Sequence, residues 1–419
     1  MQACGLRPNK LTNIWVPFVV AATESLEAGG RLALVVPAEL LQVTYAAQLR
    51  SYLTERFEHI GIVACNELFF EGAEQEVLLL LAEGALSHRI SGNKCRVALM
   101  QAASVANVLA AEPSAALAAL EEKDVKGDSE KWLKYFLTSR EISFMRSLRK
   151  HKLIVELSHF ARVDVGVVTG KNEFFVVRKS EITEHKLNNL TRRLVSRAAH
   201  LRGTIVTSDD WVSLADRDER VHLVDIRQEP EQTLSAAAKK YVASGEAKGF
   251  HLGYKCSIRK PWFHVPALWM PDGFLFRQIH DFPRFVCNKA GATSTDTIHR
   301  FTARGCDPEA LIASTFTHLT AASAEIEGRS YGGGVLELEP TEAEKLLVPN
   351  VLDEALPLEE ADKLLRSGKL GKLLEENDKR VLRGALGLSK SDCTMLKDVW
   401  VKMRDRRMAR NRKATRKSD

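Results

Sequence analysis

The sequence predicts an α/β unit, then a larger α+β unit, then a helical C-terminus. Three observations predict this. The run LALVV (32–36) has no polar residue on either face, and a β-hairpin pattern follows it. Residues 153–345 mix short β-rich runs with Gly, Pro and polar turns. Residues 357–419 return to helical composition and end in a basic tail. The length, 419 residues with 45% hydrophobic and 27% charged, suits two or three globular domains.

Taken in order, residues 12–28 read as a helix. Thr12 or Asn13 caps it, Pro17 sits near its first turn, and Gly29-Gly30 ends it. LALVV then reads as a central strand covered on both sides. Leu41, Tyr45, Leu49 and Leu53 recur every four residues, one face of a helix reaching about Phe57. HIGIVACN (59–66) and EVLLLLAEG (76–84) read as an antiparallel hairpin. A central strand needs a neighbour on each edge, and the hairpin supplies one. Residues 1–84 therefore resemble the second half of an α/β sheet whose first half is missing. The Ala-rich stretch 85–150 reads as a helical connector, 151–350 as a mixed α+β domain, and 351–419 as helical, broken near Gly368 and Gly371.

Charge is unevenly spread. Residues 1–144 hold 13 Lys and Arg against 17 Asp and Glu, a net of −4. Residues 145–304 hold 27 against 17, or +10, with nine of the twelve histidines. Residues 305–401 hold 11 against 18, and residues 402–419 hold 9 against 2. A basic middle block and tail on an otherwise acidic chain suit a polyanionic partner. The seven cysteines include no CxxC pair, and there is no secretory leader pattern and no 20-residue apolar run. These features predict reduced thiols and a cytoplasmic location.

No GxGxxG follows a strand, and HExxH, GxSxG and a paired Cys/His metal set are absent. GVVTGKN (166–172) has three residues between its glycines where a phosphate-binding loop has four. Asn172 stands where Ser or Thr would meet magnesium. Four other segments carry candidate binding residues. VDVGVVTGKNEFFVV (163–177) reads as a hairpin with Lys171 and Asn172 at its tip, a cation beside an amide. That pattern suits a phosphate and a base edge, or equally a solvated turn. GYKCSIRKPWFHVP (253–266) sets Lys255, Arg259 and Lys260 among Tyr254, Trp262 and Phe263, suited to phosphate contact with stacking, or to a half-buried strand. RFVCNKAGATSTDTIHR (284–300) offers Asn288, Thr293, Thr295, His299 and Arg300, which suit base edges or turn capping. EGRSYGGGVLELEP (327–340) places Arg329 and Tyr331 beside three glycines.

Together these segments resemble the C-terminal part of a gamma-type, TaqI-like adenine-specific DNA methyltransferase of a restriction–modification system. The carriers are GGRLALVVPAELL, ELFFEGAEQEVLLLL, VGVVTGKNEFFVV, LVSRAAHLRG, RKPWFHVP, NKAGATSTDTIHR and GRSYGGGVLELEP, in order over residues 12–350. The resemblance implies the second half of a Rossmann-like domain over 1–84 and a target-recognition domain over 151–350. It implies double-stranded DNA as partner and S-adenosylmethionine as cofactor of the complete enzyme. It adds Arg197 and Arg277 to the candidate DNA contacts, and Phe69 with Phe70 as candidates for stacking a flipped adenine. The family's cofactor loop and its Asn/Asp-Pro-Pro-Tyr motif are absent. The resemblance thus places no catalytic residue and no cofactor-binding residue in this chain, and it implies a missing N-terminal catalytic half, either a partner chain or lost sequence. The competing reading is a stand-alone DNA-binding specificity subunit. A nuclease is disfavoured because no carboxylate-and-lysine cluster stands out; EAEK (342–345) suits a solvated helix face.

Overall fold

The computed structural model describes residues 1–10, 12–65, 76–110, 120–125, 130–228 and 234–409. The chain divides into two compact units. One comprises Met1–His151, Ala322–Glu337 and Thr394–Asp419; the other comprises Lys152–Ala321 and Leu338–Cys393.

The first unit is built on a four-stranded sheet. Its strands are β1 (Leu32–Pro37), β2 (Phe57–Cys65), β3 (Val77–Ala85) and β4 (Arg96–Ala102), in the order β1-β3-β2-β4. The expected hairpin is present: β2 and β3 are antiparallel, with Gly61 opposite Leu81 and Val63 opposite Leu79. LALVV forms the expected strand beside the hairpin: β1 pairs antiparallel with β3, and among the described residues no strand pairs with its other edge. Its Val35 is 48% exposed although it is wholly apolar.

β4 departs from expectation. It lies within the stretch read as a helical connector, and it pairs parallel with β2. RVALMQA alternates, with Val97 and Leu99 buried, so a period of two is present inside an Ala-rich context that favours helix. Helices Trp15–Glu24 and Ala47–Arg56 bury Val16, Val19, Val20, Leu49, Tyr52 and Leu53. The opposite face is thinly covered among the described residues. A hollow of about 710 Å³ opens over Ala33, Gly61, Leu81 and Ala98, rimmed by Arg31, His59, Glu83, Arg96 and Glu122.

Ser139–Leu148 forms a helix with a complete capping box, Thr138 with Glu141. Arg146 donates to both oxygens of Glu130, at 3.0 and 2.7 Å, and Lys134 also pairs with Glu130. Burial alone would raise the Glu130 carboxyl; the hydrogen bonds and charges of Arg146 and Lys134 outweigh it and bring it down to about 2. An unfolded glutamate titrates near ~4.3. The contribution of Glu130 to stability is therefore fully present above that value and lost as pH falls towards 2. Urea midpoints at decreasing pH should fall over this window, and Glu130→Gln should flatten that part of the profile. An unchanged profile in the variant would remove Glu130 from the acid transition.

The basic stretch from Lys402 has little apolar periodicity after Met403, which predicts a mobile tail. Instead a helix runs Lys390–Ala409. Arg406 pairs with Glu76 at 3.1 Å and lies 3.7 Å from the Phe136 ring centroid. Arg407 is 1% exposed and forks onto Glu325, with bonds of 3.1 and 2.6 Å, while also donating to the Gly334 carbonyl. Apolar periodicity is weak here because the buried positions are charged, which is why the sequence read as a tail.

The second unit holds a five-stranded sheet ordered Ala161–Asp164, Ile298–Ala303, Gly273–Phe276, Phe285–Lys289, Ile205–Thr207. All its pairings are antiparallel except the last. A four-stranded sheet runs Thr293–Ser294, Thr191–Val195, His222–Val224, Val176–Val177. Helix Leu358–Arg366 ends at Gly368, in the left-handed region (φ 72), near the expected break. Its Asp362 accepts the backbone N–H groups of Thr204 and Ile205 at 2.7 and 2.9 Å, fixing it to the Ile205 strand.

Candidate nucleic-acid interface

The segment expected to be a hairpin tip at TGKN is a tight turn leading into a short helix, Asn172–Phe175. Gly170 makes the turn, with φ 82. A Cβ at this position would lie 2.7 Å from the Lys255 Cβ and 3.3 Å from Cys256 Sγ. Glycine is thus required twice, for a left-handed backbone and for a close approach. The close approach joins the turn to the Tyr254–Ser257 helix, so two of the segments singled out from sequence meet.

Arg259 fastens the junction. Its guanidinium donates to the carbonyls of Thr169 (2.7 Å) and Val168 (2.6 Å), and burial lowers its pKa. Arg259 therefore holds the turn instead of reaching outward. The Thr169 hydroxyl donates to Asn172 Oδ1 at 2.5 Å and accepts from the Lys171 N–H at 3.2 Å. Lys171 stands over the Phe250 ring at 4.7 Å and 3.4 Å from Glu173. Lys248 approaches the same ring at 5.7 Å. Lys255 and Lys260 are exposed. Four lysines, Lys171, Lys248, Lys255 and Lys260, thus gather around one turn with Asn172 exposed beside them. Trp262 packs inward instead: its ring lies 4.8 Å from Phe174 and its indole N–H donates to Glu246 at 3.1 Å.

Changing Gly170 to Ala should test the junction. A left-handed L-residue costs about 1–2 kcal/mol, and the Lys255 contact adds to it. A lower unfolding midpoint is expected, whereas an unchanged one would show that the turn relaxes freely.

The polar run Asn288–Arg300 is placed differently from the expectation of groove-reading side chains. Asn288 ties its own turn, donating to the carbonyls of Pro271 and Ala292 and accepting from the Ala292 N–H. Thr295 is buried and donates to the Ser196 carbonyl at 3.0 Å. His299 is fully buried, bonded to the Leu338 carbonyl at 2.6 Å, and burial lowers its pKa. Arg300 is also buried and is pushed down to about 10 by that burial. It donates to Ala267, Thr293 and Val165, and lies 4.4 Å from the Trp269 centroid. Thr293, Thr295, His299 and Arg300 are therefore buried and bonded within the unit instead of facing a groove.

Arg277 pairs with Glu339 at 2.9 Å, and Arg197, 60% exposed, approaches Glu219 at 4.0 Å. Arg329 and Tyr331 belong to the first unit. They line a cleft of about 20 Å³ with Pro37, Glu39, Gln42 and Glu76, where Gln42 exchanges two hydrogen bonds with the backbone of Ser330. Phe69 and Phe70 lie outside the described residues. Sequence reasoning missed Lys248 and the Arg192–Arg193 pair, which line a cleft of about 60 Å³ with Trp269 and Met270. Their signal was local: adjacent cations on a strand whose partner strand carries the counter-charge Asp225. Among the described residues no three metal-ligating side chains gather, and no helix is long and apolar enough to cross a membrane.

Residues 129–382 match the family described as "Type II methyltransferase M.Eco57I, C-terminal domain". The chain is 23% identical over 356 residues to the type II methyltransferase M.AccI of Acinetobacter calcoaceticus, covering 80% of this chain and 62% of that protein. It thus spans less than two thirds of that relative's length. Among solved structures, the type IIG restriction endonuclease BpuSI aligns with 98% of this chain and 51% of its own, at 12% identity and a TM-score of 0.40. The type IIL restriction-modification enzyme MmeI, solved in complex with DNA, aligns with 93% and 52%, at 12% identity and a TM-score of 0.45.

Proposed function

This chain belongs to the family of type II methyltransferase M.Eco57I C-terminal domains, and from that premise we propose that it supplies target recognition to a site-specific, S-adenosylmethionine-dependent adenine-N6 DNA methyltransferase. The observation that carries the reading is the cluster of Lys171, Lys248, Lys255 and Lys260 around the Gly170 turn, inside the matched residues. Lysines gathered around one turn can neutralise neighbouring phosphates, while Asn172, exposed and held by Thr169, can offer its amide N–H groups to a base edge.

Among the described residues, neither of the two hollows of the first unit fits the cofactor. The cleft at the C-terminal end of β1 is about 20 Å³, far below the several hundred Å³ a cofactor site needs. The 710 Å³ hollow runs from the N-terminal ends of β1 and β4 across β2 and β3, away from the carboxyl ends of β1 and β4, the end of the strands where α/β sheets bind ligands. No step through the cofactor is therefore derived from these residues. Instead, the free edge of β1 and the thinly covered sheet face are the parts of a Rossmann-like domain that the catalytic half would complete. Methyl transfer in this reading takes place on that half, and this chain holds and orients the duplex.

The test is binding of the purified chain to mixed-sequence duplex DNA by fluorescence anisotropy. With about five phosphates contacted, log K should fall with a slope near ~−4.5 against log salt. No binding at low salt would remove the reading. Co-expression with a catalytic half should then restore site-specific adenine methylation; DNA binding with no methylation under any such pairing would instead favour a stand-alone specificity subunit.

A further inference from the structure

Three large apolar side chains stand in water beside the lysine cluster. Leu252, Tyr254 and Ile258 are 72%, 74% and 62% exposed. Leu252 and Tyr254 sit on two short helical turns, Phe250–Leu252 and Tyr254–Ser257, joined at Gly253, and Ile258 caps the end of the second. The backbone dictates this placement. Cys256 is fully buried beneath Gly170, so residues two positions to either side of it project outward. The core under these turns is already filled by Phe174, Tyr241 and Phe263, with Phe250 and Trp262 packed against it, so the three side chains have no interior site left to occupy.

An exposed apolar cluster usually marks a docking surface. Protein-docking surfaces are depleted of lysine at their centre. Here Lys255 lies between the apolar residues in sequence and 5.7 Å from the Tyr254 ring centroid, while Lys171 and Lys248 flank Phe250. That mixture is complementary to an apolar slot bordered by negative charge, which is what an unstacked base step and its phosphates present.

We propose that Leu252, Tyr254 and Ile258 form a wedge that enters duplex DNA between adjacent base pairs, with Lys171, Lys248, Lys255 and Lys260 on the phosphates to either side. The proposal rests on the DNA-binding reading above and adds a deformation to it. Wedge entry separates a base step, so a step already weakened is entered more readily.

The experiment compares the full chain on two duplexes of one mixed sequence, fully paired or carrying a central two-base mismatch. A 2-aminopurine next to the mismatch reports unstacking. The wild type should bind the mismatched duplex at least roughly fivefold more tightly, with a rise in 2-aminopurine emission. The variant Leu252→Ser, Tyr254→Ser, Ile258→Ser, with unchanged circular dichroism, should bind both duplexes equally and leave the emission flat. Equal affinities in the wild type, or a preference kept by the variant, overturn the wedge while leaving DNA binding intact. A wild-type dimer that the variant converts to a monomer would assign the patch to a second copy of the chain and also overturns it. Failure of the wild type to bind either duplex at low salt overturns the DNA reading itself.

Discussion

Replacing Lys171, Lys255 and Lys260 together with alanine is expected to lower duplex affinity on the order of a hundredfold at about 0.1 M salt and to flatten the salt dependence. Each phosphate contact contributes about 0.9 to the slope of log K against log salt, so losing three contacts should reduce it by roughly 2.7. The choice of residues follows from the geometry. Arg259 belongs to the same basic segment, but it spends its guanidinium on the Thr169 and Val168 carbonyls. Its removal would disturb the turn and lower binding for a structural reason. The three lysines are exposed or half-exposed, and none is buried in the core. The variant should therefore fold like the wild type. Anisotropy titrations at three or more salt concentrations give both affinity and slope. An unchanged slope would place the phosphate contacts elsewhere in the chain, with the Arg192–Arg193 strand as the next surface to vary.

Arg407→Ala should be the most destabilising single change outside the apolar core, at about 3–5 kcal/mol. The side chains of Arg407 and Glu325 are 1% and 3% exposed, and the pair is bidentate. Removing the guanidinium takes the bidentate partner away from a carboxylate in a site that water barely reaches. The same loss should not follow when both charges are replaced by apolar groups of similar size. Arg407→Met with Glu325→Leu should recover most of the stability, because the desolvation cost disappears with the charges. Denaturant titration of the three proteins checks this. A single variant as stable as the wild type would mean that the end of the helix frays and the pair contributes little. Truncation before Lys402 carries the same consequence. It removes Arg406 from Glu76 and Arg407 from Glu325, so it should cost fold stability and not merely charge.

The β2–β3 hairpin was readable because two apolar runs flank a polar, glycine-containing stretch, and local sequence settles such pairing. The break at Gly368 was readable for a similar reason: a left-handed residue suits glycine. β4 was not, because its alternation spans few residues in surroundings of high helix propensity, and its parallel pairing with β2 is a tertiary fact. The roles of the Asn288–Arg300 side chains were equally hidden. A threonine or histidine that can face a base edge can also cap a carbonyl, and only the fold shows His299 on Leu338 and Thr295 on Ser196. Arg406 and Arg407 looked like solvated tail charges because their partners, Glu76 and Glu325, lie far away along the chain. At the interface, sequence found both halves of the lysine cluster but could not show that Gly170 brings them together.

The thiol beneath that glycine has a practical consequence. Cys256 is fully buried and its pKa is raised by burial, so alkylating reagents meet neither an accessible sulfur nor a thiolate while the turn is closed. Its labelling rate is then set by how often the turn lifts away. A ligand bridging Lys171 and Lys255 would hold the two segments together and slow that rate, giving the interface a built-in occupancy clock that needs no attached probe and no knowledge of the DNA sequence recognised.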